Sequence, residues 1–370
     1  MNKKIPFFSL GYMHGQCAEE LKNAFERVLG SSSFLLGKEL EVFEENFAKY
    51  IGTKHCVGVN SGTDALLIAL KALELEKGAE VVLPAHTFIS SVLAVIHAGL
   101  KPVLADVDEK TYNLDNQKIE EFISSKTQVL MSVHLYGQPC QIDKLMQLAK
   151  VHKLTIIEDN AQAQGSVYEG QKTGSFGLMS ATSFYPSKNI GAMGDAGAIT
   201  TDSEVLSQKM KVLRNVGMGE KYIHNEVGVN SRMDEIQAAV LKVKLGYLEE
   251  WNEERIKIAK SYTEGLGDME ELVLPFTLPK TKHVFHQYVI RTERREELRG
   301  YLEKNGIGTL MHYPIPIHLQ KACAYLGYKK GDFPVAEKIS QTCLSLPIYP
   351  GLQEGEQQYI IEKIKTFFKR

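Results

Sequence analysis

Short apolar runs alternate with amphipathic segments through the first two thirds of this chain. "HCVGVN", "EVVLP", "KPVLADVD", "TQVLMSVHLYG" and "LTIIED" read as strands. Between them "GTDALLIALKAL", "ISSVLAVIHAG", "NQKIEEFISS" and "QIDKLMQLAKVH" read as helices. Strands that are apolar at successive positions need cover on both faces, and helical crossovers supply it. The pattern predicts an α/β fold around a mainly parallel sheet. Right-handed crossovers then gather the loops at the strands' carboxyl ends on one rim.

After Asp195 the pattern continues with "GAIT" as a strand and "DSEVLSQKMKVLR" as a helix. From Met233 it changes. Ile236, Val240, Val243 and Tyr247 recur at helical spacing and predict one long helix leaving the first domain. "HVFHQYVIR" and "GIGTLMHY" read as strands, "REELRGYLEKN" and "GEQQYIIEKIKTFFK" as helices. The expected organisation is a large domain over residues 1–250 and a small α+β domain over residues 251–370.

Composition excludes several classes of function. A net charge of -2 gives no electrostatic case for nucleic acid or an anionic membrane. Cys17, Cys56, Cys140, Cys323 and Cys343 are scattered, with no CxxC pair, which favours reduced thiols over a disulfide frame or a zinc site. "MNKKIPFFSLGYMHG" has no apolar core of a signal peptide, and no uncharged apolar run reaches the ~18 residues of a membrane helix. The expected location is cytoplasmic.

Four stretches of the large domain carry chemistry. In "VNSGTDALLIAL" a strand ends, Ser61, Gly62 and Thr63 turn, and a helix begins. Its free N–H groups and positive dipole end suit a phosphate, although for this stretch taken alone a plain N-cap by Ser61 or Thr63 is the simpler reading. "LTIIEDNAQAQG" ends an apolar run in Glu158 and Asp159, followed by Gln162. A buried carboxylate there needs a cationic partner, and alone it fits a magnesium or ribose ligand as readily. In "ATSFYPSKNIGAMGDAG", Pro186 fixes the backbone ahead of Ser187 and Lys188, and Gly191, Gly194 and Gly197 allow tight folding around them. A lone lysine is ordinarily a surface residue, but a desolvated one loses its proton readily and becomes an imine-forming nucleophile. "PAHTFISS" offers Phe88 or His86 to stack on a ring. Together these are the parts of a pyridoxal phosphate site: a helix N-terminus for the phosphate, an aspartate for the pyridine nitrogen, and a lysine for the aldehyde carbon.

These stretches, with "GKELEVFEENFAKYIG", "PVLADVD", "VHLYGQP", "GVNSRMDEIQAA" and "HYPIPIHLQ", occur in an order that resembles the DegT/DnrJ/EryC/StrS-type sugar-nucleotide aminotransferases across nearly the whole chain. That family is a branch of the fold-type I pyridoxal phosphate enzymes, so the resemblance implies a seven-stranded, mainly parallel sheet in the large domain. It makes Lys188 the lysine joined to the cofactor, Asp159 the partner of the pyridine nitrogen and Gln162 a hydrogen-bonder to the ring hydroxyl. Gly62, Thr63 and Ser183 would hold the phosphate, and Phe88 would stack on the ring. Asn230 would reach the phosphate of a neighbouring subunit, implying a homodimer with shared sites. Asn160 and Gln164 stand where the family usually has alanine and histidine, and the second bears on contacts near the substrate.

The subgroup most resembled aminates C3 of nucleotide-linked 3-oxo-6-deoxyhexoses. It implies a dTDP-linked keto sugar as acceptor, L-glutamate as donor with 2-oxoglutarate as its product, pyridoxamine phosphate as the intermediate cofactor form, and a place in deoxyamino sugar biosynthesis, such as that of S-layer glycans or lipopolysaccharide O-antigen. Amination at C4 of a dTDP- or UDP-linked 4-oxo sugar is the rival, and a non-catalytic sensor of the same fold is a further alternative. The dehydratase relatives carry histidine in place of the lysine. Tyr185, His312, Tyr313 and His318 are the sugar-side candidates, against a reading of the last three as parts of a proline-stiffened connector. Arg232 is a candidate for the donor carboxylate. His283 and His286, at i and i+3 of an expected strand, fall on opposite faces and are not read as metal ligands.

Overall fold

The computed structural model describes residues 4–369. Seven strands form its main sheet: β1 His55–Val59, β2 Glu80–Pro84, β3 Lys101–Ala105, β4 Thr127–Val133, β5 Thr155–Asp159, β6 Met179–Ser183 and β7 Gly197–Thr201. Their order across the sheet is β1-β7-β6-β5-β4-β2-β3. Pairing is parallel from β6 through β5, β4 and β2 to β3, whereas β7 runs antiparallel to both β1 and β6. The sheet is therefore the mainly parallel one that the apolar runs predict.

A short helix, Gly11–Gln16, and two longer ones, α1 Ala18–Ser31 and α2 Lys38–Ile51, precede the sheet. Within it α3 Gly62–Ala72, α4 Ile89–His97 and α5 Ile142–His152 are crossovers, and α6 Glu204–Arg214 follows β7. Ser61 caps α3 by accepting the Asp64 N–H at 3.1 Å. The apolar faces of α3 and α4 and one face of the sheet share a core with Val57, Leu66, Val81, Val92, Met131 and Ile157. Leu40, Phe43 and Phe47 of α2 pack instead against Phe184, beyond β6, and against Met233, Ala238 and Leu241.

The chain from Met233 forms two helices rather than one, α7 Glu235–Leu245 and α8 Leu248–Leu266, parted at Gly246 and Tyr247. The apolar repeat runs through the break because both segments bury a stripe, so periodicity alone does not mark it. α8 links two cores. Trp251 packs with Met13, Cys17 and Leu21, while Ile258, Tyr262 and Leu266 join a second core with β8 Tyr288–Arg291, β9 Cys343–Leu346, α9 Arg295–Lys304 and α10 Glu354–Phe368. Ile5 from the chain's start belongs to that second core.

Other expectations shorten. "NQKIEEFISS" makes only a 3₁₀ turn, Ile119–Phe122, with Ile119 its one buried residue. A segment this short with so little to bury does not sustain a helix. "HVFHQYVIR" is a strand only from Tyr288, since Phe285 turns the chain at φ 43. "GIGTLMHY" runs beside β9 through a single bridge, Leu310 to Ser345, and through one from Ile307 to Ile5. His283 and His286 thus sit in a buried loop, not on two faces of a strand.

The end of β5 is held from behind. Successive residues of a strand face opposite sides, so Asp159 and Glu158 part. Glu158 is fully buried, pairs with His134 Nε2 at 2.9 Å, and accepts the backbone N–H groups of Gly174, Phe176 and Gly177 at 2.8–2.9 Å. Burial alone would push its carboxyl up, but His134 and these amides outweigh it and hold the group below the usual range. His134 Nδ1 accepts the Cys140 N–H at 3.0 Å, which fixes Nε2 as the donor to Glu158. Glu158→Ala strands three buried amides and one imidazole. It should cost about 3 kcal/mol or more of stability in chemical denaturation; a loss below about 1 kcal/mol would show that the strut is dispensable.

Candidate active site

The loops after β1, β2, β5 and β6 meet over one cavity of about 350 Å³ at the carboxyl rim of the sheet. Its lining includes Ser61, Gly62, Thr63, Phe88, Asp159, Gln162, Ser183, Tyr185, Lys188, His312 and Tyr313. Eleven residues named from the sequence thus converge on one space, though they span more than 250 positions of the chain.

The lysine loop is pinned from below. Phe184, fully buried, meets Phe43 and Phe47 edge-on at 5.5 and 5.1 Å. Gly191 lies against Pro186, and a Cβ there would stand 2.3 Å from the Pro186 carbonyl oxygen. Lys244, itself buried, donates to Gly191 O at 2.6 Å, and Asn189 Nδ2 donates to Asn252 Oδ1 at 2.7 Å and to Val284 O at 3.1 Å. Between these anchors a turn closed by Lys188 N–H on Tyr185 O at 2.8 Å presents the Lys188 side chain to the cavity.

Lys188 Nζ forms no hydrogen bond or ion pair among the described residues. Desolvation lowers the amine to about 8, and nearby Asp159 raises it only in part. Asp159 is buried, accepting Ser91 Oγ at 2.7 Å and the Ala161 N–H at 3.1 Å. Burial pushes its carboxyl up despite those bonds. The two groups face one cavity, each desolvated, neither neutralised by contact with the other.

These residues fit pyridoxal phosphate on three observations. Asp159 is a buried carboxylate whose hydrogen bonds are neutral, so a protonated ring nitrogen would supply the missing charge. Gly62 and Gly197 leave room at the α3 N-terminus: a Cβ on Gly62 would stand 2.5 Å from Ser183 Cβ, and one on Gly197 2.4 Å from the Ser61 backbone. First-turn N–H groups point into that space. Gln162 is oriented by the Tyr136 N–H, which it accepts at 2.7 Å, and it donates to Tyr313 Oη at 2.9 Å. Thr63 Oγ1 donates to Ser90 Oγ at 2.8 Å.

Phe88, half exposed on the cavity wall, faces Tyr313 with ring centroids 5.6 Å apart. His86 instead lies behind the wall, bonded to Tyr136 Oη at 2.8 Å, so of the two candidates for ring stacking only Phe88 lines the cavity. His312 lines the cavity with Nδ1 on Ser345 Oγ at 2.8 Å, and burial, then Lys188, lower it to about 4.

Three named residues are not brought in. His318 is buried outside the cavity, with Nε2 on Glu337 at 2.9 Å and its ring against Phe333; the 3₁₀ turn at Ile317–Leu319 turns it into the core, a correction to its expected sugar contact. Arg232 does not line the cavity and donates to Asn215 Oδ1 at 3.3 Å. Asn230 is exposed and outside the lining within its own chain. Asn160 and Gln164 are structural: Asn160 accepts Thr173 Oγ1, and Gln164 donates to Ser183 O at 2.6 Å, tying the β5 and β6 loops together. Sequence reading missed His286, Gln287, Ser187 and Asp195 as wall residues. The two from the buried loop before β8 carry no spacing signal, because that loop is irregular.

Comparisons with known proteins give the family. The sequence pattern of the DegT/DnrJ/EryC1/StrS aminotransferase family matches residues 16–365. The dTDP-3-amino-3,4,6-trideoxy-alpha-D-glucose transaminase of Streptomyces venezuelae is 43% identical over 367 residues, 99% of this chain and 97% of that protein. The dTDP-3-amino-3,6-dideoxy-alpha-D-galactopyranose transaminase of Aneurinibacillus thermoaerophilus is 43% identical over 363 residues, 98% of this chain and 99% of that protein. The crystal structure of S. venezuelae DesV with a ketimine intermediate superposes with a TM-score of 0.97 at 43% identity, covering 99% of both chains. With the lysine, the aspartate and the helix N-terminus gathered in one cavity, this chain belongs to the DegT/DnrJ/EryC1/StrS aminotransferase family.

Proposed function

We propose that the protein moves an amino group from L-glutamate to C3 of a dTDP-linked 3-oxo-6-deoxyhexose, giving a 3-amino-3,6-dideoxyhexose nucleotide, with pyridoxal phosphate as cofactor. The observation that carries the reading is the pair Lys188 and Asp159, an unpaired amine and a buried carboxylate at one cavity over a helix N-terminus. The choice of C3 and of thymidine diphosphate rests on the two transaminases at 43% identity, whose names specify dTDP-3-amino sugars. The C4 rival has no such support.

When bound, the cofactor supplies a pyridinium ring that accepts the electron pair left by a departing proton. Asp159 keeps that ring nitrogen protonated. Gly62, Thr63 and Ser183 hold the phosphate, Phe88 stacks on the ring, and Gln162 meets the ring hydroxyl. With the cofactor bound, Lys188 would be the group placed to take the proton from the donor's α-carbon and to give it back as the amino group is transferred. In the second half-reaction Lys188 moves a proton in the reverse sense with the sugar. The exchange balances without another reactant: glutamate loses its amino group and α-hydrogen and gains the ketone oxygen. One lysine serves both halves, and the kinetics are ping-pong. Tyr185, Tyr313 and His312 stand where the sugar enters. The unit of function is a homodimer in which Asn230 of each subunit reaches the other's phosphate site, and the enzyme works in the cytoplasm, in biosynthesis of deoxyamino sugars such as those of S-layer glycans or O-antigen.

Four measurements check this. Uptake of cofactor by the apo protein needs the neutral Lys188 amine, so its rate should rise with pH through about 8, rather than near the ordinary lysine value of 10.5. Lys188→Ala should lose both the borohydride-sensitive absorbance and, by at least about a thousandfold, turnover; near-normal turnover would remove the lysine from its role. Enzyme given glutamate and either a 3-oxo or a 4-oxo dTDP-sugar should yield amine at C3 by NMR, and product from the 4-oxo sugar alone would replace C3 with C4. Asn230→Ala should weaken cofactor retention roughly tenfold or more in equilibrium dialysis, the loss of about one charge-assisted hydrogen bond; unchanged retention contradicts shared sites.

A further inference from the structure

A second cavity, of about 240 Å³, adjoins the first and shares Tyr185, Ser187, His286, Gln287 and His312 with it. Arg255 of α8 lines it and is 4% exposed. Its Nη1 donates to Ile348 O at 2.8 Å, and its Nε has no hydrogen-bond partner. No aspartate or glutamate lines this cavity, whose remaining walls are largely apolar, with Phe7, Phe8, Leu310 and Ile348 among them.

A buried guanidinium without a counter-charge is costly, and natural chains ordinarily pair it. Burial lowers Arg255 to about 10, which still leaves it cationic at neutral pH. His286, on the wall common to both cavities, is pushed well below its usual value by burial and then by Lys188 and Arg255, so both cations reach it. The neighbouring His312 is likewise neutral. The space beside the lysine loop is therefore positive and without an anion of its own. The planar fork of arginine matches a carboxylate.

We propose that Arg255 binds a carboxylate of the amino-acid donor, holding the donor's amine toward Lys188. This rests on the aminotransferase reading given above and assigns to Arg255 the task that the sequence suggested for Arg232. The competing anion, the diphosphate of the nucleotide sugar, carries a nucleoside and a hexose on either side. A small amino acid fits the space of about 240 Å³ beside Arg255, and a loss confined to the nucleotide sugar in the test below would identify the diphosphate instead.

The test separates the half-reactions in the holoenzyme. Glutamate is titrated against the cofactor's absorbance change, and the dTDP-keto sugar is titrated separately against the aminated cofactor form. Arg255→Gln should raise the glutamate concentration at half-effect on the order of 30-fold or more, leave the sugar half-reaction within about threefold, and weaken binding of 2-oxoglutarate in calorimetry to match. Arg255→Lys, which keeps the charge, should recover part of the loss. If Arg255→Gln does not fold, Leu310→Glu at a half-exposed wall position places a carboxylate beside the guanidinium and should weaken glutamate likewise. Unchanged glutamate dependence in the folded variant, or a loss confined to the nucleotide sugar, overturns the proposal. A wild-type enzyme that converts no cofactor with glutamate would instead overturn the function proposed above, so the two failures are distinct.

Discussion

An amine and a carboxylate, both taken out of water, face a common cavity without touching. Lys188 and Asp159 are each shifted toward neutrality by desolvation and each pulled back by the other's charge. Were they in contact, they would neutralise one another and the amine would stay protonated. Held apart, they leave the amine near the pH at which it both gives and takes a proton, and they leave the carboxylate in want of a cation. The rest of the large domain can be understood as what keeps them apart.

Two kinds of support do so. Behind Asp159, the pair His134–Glu158 and three amides fix the end of β5, so that strand alternation sends one carboxylate into the core and its neighbour into the cavity. Behind Lys188, an aromatic cluster, a buried lysine on Gly191 and an asparagine pair hold the loop. Both supports are second-rank in chemistry and first in consequence, because catalytic groups tolerate little misplacement. The wall opposite comes from chain beyond residue 250, through His286, Gln287, His312 and Tyr313, so the cavity is completed only by residues far in sequence from the sheet.

How much of this could be seen beforehand depended on the kind of signal. The strands of the sheet announce themselves by continuous apolar runs, and Ser61, Asp159, Gln162 and Lys188 lie at strand ends, where α/β sheets place their ligands. The helical repeat from Ile236 to Tyr247 was true of the buried stripe yet silent about the break after Leu245, since both helices bury that stripe. His318 followed a motif into the wrong place: its neighbours in sequence line the cavity, but a 3₁₀ turn swings its ring onto Phe333. His286 and Arg255 could not be picked out as wall residues, because one lies in an irregular loop and the other is one of three basic residues on a charged helix.

The order of residues by itself determined the fold class, the rim at which the site lies and the lysine–aspartate chemistry, because apolar period, turn residues and strand ends are local properties. Tertiary structure alone decided which histidines line the cavity and which arginine is left buried without an anion. Those are questions of distance and desolvation between segments far apart in the chain, and no local pattern encodes them.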